Sequence, residues 1–582
     1  NVITKIYPQG AAWQTGSTDH SVRTILKTNV ANEVRKWTFD YAALTANGAS
    51  FYDANQLNVT QKTDEDNNKT YSYTNKTGQV ILERKQDIVS NAFADTYYVF
   101  DDIGNIRFVI SPQGTSLLST VSYIVGYSGT FTDQWLTTYK YDARQRVVEK
   151  KIPGCLPEYY VYDNYDRVVL SQNGNQRPGN KWSYVKYDAL NRIIQTGLYS
   201  HTSSLLQSDM QPLFTTSNTT SNTTFNESRK GSTTYGYSNV VWPTSLCEAL
   251  TLNYYDDYDF NFDGIPDYNY SVQGLNEEAA VNTALKGLPT GGKVKVLGSS
   301  SDWLITASFY DKNYRPIQIQ KNNHKNLTTL SDVTTNINDF IGKITYTKKI
   351  HNAGSNLITI TNRLDYDHVG RPLKVWQKVN TDPEIVLSQV NYNELGQVVE
   401  KNLHSENSGS TFLQSLDFTY NIRGWLTELN NSTLGSVAPN NNNDVNDLFN
   451  MSLRYETPVG PGMTPRFNGR IAAQCWKGAN AATSTSPVYI TYDYNGLQNF
   501  FGSKVIVDPL TGEGNNNFKE DNITYYLNGN ISTLDRTTAA GGYIDKLTYI
   551  YNGNKLIKIT DASGSTQGFR DGVNTATEYT YD

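Results

Sequence analysis

The chain has 582 residues, a net charge of −6 and a 38% apolar fraction that stays at 38% when its 42 Gly are counted in place of its 42 Tyr, below the roughly 45–50% usual for globular domains. The small negative charge and the lack of a Lys/Arg cluster argue against nucleic-acid binding, and no run of about 18 apolar residues or charged-then-apolar leader marks a membrane span or a signal peptide. Three scattered cysteines, Cys155, Cys247 and Cys475, have no metal-ligand spacing and build no disulfide framework, while tyrosine in place of aliphatic core points to half-buried pleated sheet.

Residues 1–92 lack clear repeats and read as a strand-rich N-terminal region. From Phe93 onward one phrase recurs: an alternating strand ending in Tyr-Asp or Tyr-Asn, a short link, a polar residue and another alternating run. Phe100-Asp101 leads to Gly104-Asn105, and three close copies follow: Tyr141-Asp142-Ala143-Arg144-Gln145-Arg146-Val147-Val148, Tyr162-Asp163-Asn164-Tyr165-Asp166-Arg167-Val168-Val169 and Tyr187-Asp188-Ala189-Leu190-Asn191-Arg192-Ile193-Ile194. Their tyrosines are 21 and 25 residues apart, and a shared internal offset at that spacing is the mark of a structural repeat. Further copies start at Tyr310-Asp311, Tyr366-Asp367, Tyr392-Asn393 and Tyr420-Asn421, with Tyr525 and Tyr549 leading to Gly529-Asn530 and Gly553-Asn554.

The turn explains the phrase. Asp or Asn at its first position accepts a bond from a backbone N–H two residues on. Four residues after the Tyr, the slot holds Gly104, Gly370, Gly396, Gly424, Gly529, Gly553, Asp166 or Asn191, residues that tolerate a left-handed backbone; Gln145 and Tyr314 are less suited. The Arg that follows is placed to pair with the turn Asp or to lie across a neighbouring ring. These carboxylates are therefore structural. The six histidines lack paired metal spacing, and no nucleophile elbow, zinc-protease helix or phosphate loop is visible, so no catalytic residue and no enzyme activity is expected in this segment.

An insertion at about 200–300 separates the copies at Tyr187 and Tyr310. Thr215-Thr216-Ser217-Asn218-Thr219-Thr220 onward, Pro439-Asn440-Asn441-Asn442-Asn443 and Gly514-Asn515-Asn516-Asn517 read as solvated loops, and Asn276–Leu285 reads as a short capped helix. Within the insertion, Asp259, Asn261, Asp263 and Asp267 alternate around Gly264 as oxygen ligands do in calcium loops, with the Ile265 carbonyl as a further ligand. The loop resembles the calcium loops of thrombospondin type 3 repeats, but the twelfth position is Tyr270 and leaves the shell to be completed by Asp256, Asp257 or water. The other reading is a polar loop closed by side-chain-to-backbone bonds. The last residues, Glu578–Asp582, read as the first half of another repeat, so a truncated C-terminal end is expected.

These phrases resemble YD or RHS repeats, found in bacterial polymorphic toxins, in the C component of insecticidal toxin complexes and in teneurins. Tyr97–Asn105, Tyr254–Phe260, Lys293–Gly298, Tyr420–Leu426, Phe467–Ile471 with Trp476-Lys477, and Gly568–Gly572 are similar to the large RHS proteins of Bacteroidetes. The resemblance implies an all-β fold: a curved antiparallel sheet of successive hairpins over 93–582 forming part or all of a hollow shell, with loop insertions. It also implies a secreted or outer-surface scaffold that encapsulates a C-terminal cargo of the same polypeptide, a polymorphic toxin acting in interbacterial competition. Acidic self-cleaving residues of the family follow its repeats, and none is assigned here. The alternative is a surface adhesin or glycan-binding scaffold, with Trp135, Trp182, Trp376 and Trp425 as platforms unless they pack into the sheet, or the passenger of an outer-membrane secretion apparatus.

Overall fold

A computed structural model of the protein describes residues 2–14, 19–220, 224–352, 354, 356–430, 447–457, 463–478, 488–508, 513–514, 517–572 and 575–581. The expected loop at Pro439–Asn443, residues Asn515 and Asn516, and Asp582 lie outside the described residues. The chain forms two compact units, one of Asn1–Pro157 with Leu416–Asp582 and one of Glu158–Ser415.

Each unit is built of consecutive antiparallel hairpins, as the repeat predicts. In the unit Glu158–Ser415, strand Lys181–Tyr187 pairs with Ile193–Ser200 from Lys181↔Ser200 to Lys186↔Gln195, and that strand pairs in turn with Cys247–Tyr255. Alternation sets the faces: Trp182, Tyr184 and Lys186 are buried while their neighbours are not. The register breaks just before Tyr187, where one extra residue is absorbed as a bulge, and the same break precedes Tyr141, Tyr162, Tyr310, Tyr366 and Tyr392.

Two aromatic-rich cores lie in this unit, one around Trp182, Tyr184, Met210 and Phe214 and one around Tyr254, Phe260 and Phe309. Lys186 is buried because the insertion brings Glu227 to 2.9 Å from it, and Glu227 accepts in addition from Ser238 and from the N–H groups of Val240 and Val241.

The insertion corrects two expectations. Thr215–Thr220 belongs to a helix, Gln207–Thr220, because Met210 and Phe214, one turn apart, are both buried and because Gln211 bonds both the N–H and the C=O of Tyr162, covering a strand backbone with a side-chain amide. Residues Asn276–Leu285, expected as a helix, have no helical backbone. Asn276 has φ +59°, whereas a helix N-cap needs an extended backbone, and Glu277 turns back to accept from the N–H groups of Gln273 and Leu275.

In the other unit, the strands on either side of residue 92 are neighbours. Strand Val80–Gln86 pairs with Phe93–Phe100 from Leu82↔Tyr97 to Gln86↔Phe93, and the turns Asp64–Asn68 and Asn75–Gln79 carry the repeat's two backbone bonds. A small three-stranded sheet, made by Arg35–Asp40, Thr45–Phe51 and Ile124–Gly126, covers a core that includes Trp37, Phe39, Tyr97 and Phe108.

The two sequence stretches of this unit are stitched together at their turns. Trp13 donates to the Phe467 carbonyl at 2.9 Å, Asp66 accepts from Phe467 N–H at 2.8 Å and Gln498 donates to Asn68 at 2.6 Å. Leu527 N–H reaches Gln113 at 3.2 Å, and Gln134 donates to Asn552 at 2.6 Å. The partners follow the same order along both stretches.

Candidate functional site

The recurrent chemistry of the chain is a clasp that joins each hairpin to the next. In the Asp163 turn, one carboxylate oxygen accepts from Tyr165 N–H at 2.9 Å and Arg167 N–H at 3.0 Å, and the other accepts from the Arg167 guanidinium at 2.7 Å. The guanidinium then covers the ring of Tyr187, 4.4 Å from its centroid, and the Tyr187 hydroxyl donates to the Val168 carbonyl at 2.9 Å. The Asp carboxylate, the Arg guanidinium and the Tyr hydroxyl are thus all used, and the Tyr of one copy reads the backbone just past the Arg of the copy before.

The same construction recurs. Arg371 pairs with Asp367 at 2.6 Å and lies 4.4 Å from the Tyr392 ring, whose hydroxyl donates to the Pro372 carbonyl at 3.0 Å. Tyr141 bonds Ile106, Tyr310 bonds Pro289, Tyr494 bonds Ile471 and Tyr525 bonds Phe500 in the same manner. Tyr581 does likewise with the Leu556 carbonyl at 2.8 Å, so the last described residue occupies a repeat tyrosine's place. Burial pushes the Tyr141 phenol up to about 12, which keeps it a neutral donor.

Burial pushes the Asp142 carboxyl up, but the Arg146 N–H and guanidinium outweigh it and hold the group below its usual range. The left-handed slot is occupied as required by Gly370 at φ +89° and by Asn191 at +61°, and also by Gln145 and Tyr314 at +62° and +63°, where the clasp imposes a backbone that the side chain alone disfavours.

The loop expected to hold calcium is closed by its own N–H groups. Asp259 accepts from Asp263 N–H at 3.0 Å and Gly264 N–H at 2.8 Å. Asn261 accepts from Asp263 N–H, and Asp263 from Ile265 N–H, both at 2.9 Å. Asp267 accepts from Phe260 N–H at 2.6 Å and Asn261 N–H at 3.1 Å. Gly264 has φ +94° and permits the bend.

The expected auxiliary ligands are engaged elsewhere, Asp256 with Arg192 at 2.8 Å and Asp257 with Arg229 at 3.1 Å, while the Tyr270 hydroxyl donates to the Glu278 carbonyl at 2.9 Å. Among the described residues no three His, Cys, Asp or Glu side chains form a group that could hold a metal ion.

None of the four tryptophans considered as platforms is exposed. Trp182 is fully buried, Trp376 donates to Asp365 at 2.6 Å under the Arg363 guanidinium, Trp425 packs on Trp13 and Tyr455, and Trp135 lies against the core around Phe108. The three cysteines are free. Among the described residues, no helix is long and apolar enough to cross a membrane.

Sequence reasoning reached the Asp–Arg pairing and the Arg–ring contact but missed the tyrosine hydroxyl. Its only signal was the fixed placement of Tyr immediately before the turn residue.

No protein-family model matches the chain, and no curated protein matches it. Solved structures do. TcdB2-TccC3 without its hypervariable C-terminal region superposes with a TM-score of 0.53 at 11% identity, over 92% of this chain and 22% of that one. The Tc holotoxin pore of Photorhabdus luminescens aligns with a TM-score of 0.43 at 10% identity, over 91% of this chain and 28% of that one. The chain therefore spans between a fifth and a third of the length of these solved chains, and the first likeness bears out the expected fold of successive antiparallel hairpins.

Proposed function

We propose that the chain is part of an RHS-type shell that encloses a C-terminal cargo of its own polypeptide, a secreted toxin scaffold used against competing bacteria. The observation that carries this reading is the clasp. It spends the recurrent Asp, Arg and Tyr side chains on joining hairpin to hairpin, which is what a protein needs if its task is to extend a wall rather than to build a reaction centre. The fold likeness to TcdB2-TccC3, whose C-terminal region is described as hypervariable, supports a wall that stays constant while its contents change. In this reading the segment itself has no turnover.

The test compares the full-length protein with its free C-terminal region for protease sensitivity and for activity. Protection that requires the repeats supports the shell. Equal sensitivity and equal activity overturn it.

A further inference from the structure

Segments that depart from the repeat border a half-open cavity within the unit Glu158–Ser415. It has a volume of about 340 Å³, at the low end of the roughly 300–1,000 Å³ of small-molecule sites. One wall is the strap Asp267–Asn269 from the insertion; the other is the connection Leu327–Leu330 that follows strand Pro316–Lys321; Ile305, Gln320 and Asn322 lie between them.

Both walls are held from below by buried amides. Gln320 donates to the Asn269 carbonyl at 2.8 Å, and Gln318 donates to the Ser271 carbonyl at 2.7 Å while accepting from Ser271 N–H. Asn322 donates to the Leu327 carbonyl at 2.9 Å and to the Trp303 carbonyl at 2.7 Å, and accepts from Ile305 N–H at 2.6 Å. The space is therefore formed before any ligand arrives, which spares a ligand the cost of ordering it.

What the lining leaves uncommitted defines the ligand. Among the described residues, the Tyr268 hydroxyl and the Asn269 side-chain amide have no hydrogen-bond partner, and both border the cavity with Thr328, whose hydroxyl donates to Asn326 at 3.0 Å and keeps its acceptor side. The one charged lining residue, Asp267, is already bonded by Phe260 N–H, Asn261 N–H and the Asn261 amide. An anionic ligand would meet the Asp267 carboxylate and no cation, and a cationic one would find both carboxylate oxygens already taken by these neutral donors, so that its hydration would be poorly replaced. A polyhydroxylated neutral ring would meet amide and hydroxyl partners, with the apolar atoms of Ile305 and Leu330 against its C–H faces.

We propose that this cavity binds a neutral sugar ring, held by Tyr268, Asn269 and Thr328. The inference does not depend on the shell reading. It is tested on the full chain by ligand-observed saturation-transfer NMR and calorimetry with D-glucose, D-galactose, D-mannose and N-acetyl-D-glucosamine, and with D-glucuronate and D-glucosamine as charged arms.

The expected result is saturable binding of at least one neutral sugar, weakened about tenfold or more both by Leu330→Trp, which fills the cavity, and by Asn269→Ala on its exposed rim, with the charged arms binding no tighter. Leu330 packs against the core around Phe309, so Asn269→Ala, checked for an unchanged thermal midpoint, decides the matter if the tryptophan variant fails to fold. Absence of saturable binding by all four neutral sugars, binding that Asn269→Ala leaves unchanged, or tighter binding of either charged sugar overturns the proposal.

Discussion

Replacing Asp163 by Ala removes the acceptor of two backbone N–H groups and the counter-charge of Arg167, whose side chain is 10% exposed against 0% for Asp163. Breaking a buried pair by removing one partner costs about 3–5 kcal/mol. Here the low end, about 3 kcal/mol, is expected, because Arg167 retains Asn191, Asn226 and the Phe225 carbonyl as acceptors and a charge that keeps hydrogen-bond partners is less costly to leave buried.

Asp142→Ala removes the same bonds from a pair whose side chains are 17% and 22% exposed, where water replaces part of what is lost; about 1–2 kcal/mol is expected. Asp163→Asn should fall between wild type and Ala, since Asn393 and Asn421 fill the same slot and accept the same two N–H bonds. Urea denaturation followed by tryptophan fluorescence, with hydrogen exchange of the Tyr159–Gln172 ladder, gives the ranking. Equal losses in Asp163→Ala and Asp142→Ala, or a loss below about 1 kcal/mol for Asp163→Ala, would refute the view that the clasp acts as a buried ionic joint.

Gly370→Val places a β-branched side chain at φ +89° and should cost about 1–3 kcal/mol, whereas Gly370→Asn should be nearly neutral, as Asn191 occupies the equivalent position; thermal unfolding of both variants checks this. Burial pushes the Asp367 carboxyl up, but the Arg371 N–H and guanidinium prevail and hold it down at about 2, against 3.8 when free. A lowered carboxylate stabilises above its unfolded value and loses that contribution as pH falls through its folded one, so stability should drop between pH 3.8 and about 2, less steeply in Asp367→Asn, as read from urea midpoints at stepped pH. The calcium reading of the Asp259–Asp267 loop predicts saturable binding at millimolar calcium that Asp263→Ala abolishes; an unchanged calorimetric trace leaves a loop closed only by its own N–H groups.

The repeat was legible in the sequence because its causes are local. The Asp163 turn, the left-handed slot at Asp166 and the following Arg167 lie within five residues, and a residue that must accept from an N–H two positions on or take a positive φ announces itself by type. Alternation in Lys181–Tyr187 announces a strand for the same reason. What the sequence could not decide was set by partners far along the chain.

Polar Thr215–Thr220 looks like a loop until Met210 and Phe214 find a core and Gln211 finds Tyr162. The capped look of Asn276–Leu285 is overruled when Glu277 bonds backward to Gln273 and Leu275. Asp256 is paired with Arg192, 64 residues away, a contact that no local spacing announces. The proposed sugar cavity draws on 267–269, 305 and 320–330, with no spacing to betray it. Local hydrogen-bonding demand is written in residue order, but burial and long-range pairing depend on which surfaces meet, and only the folded chain determines that.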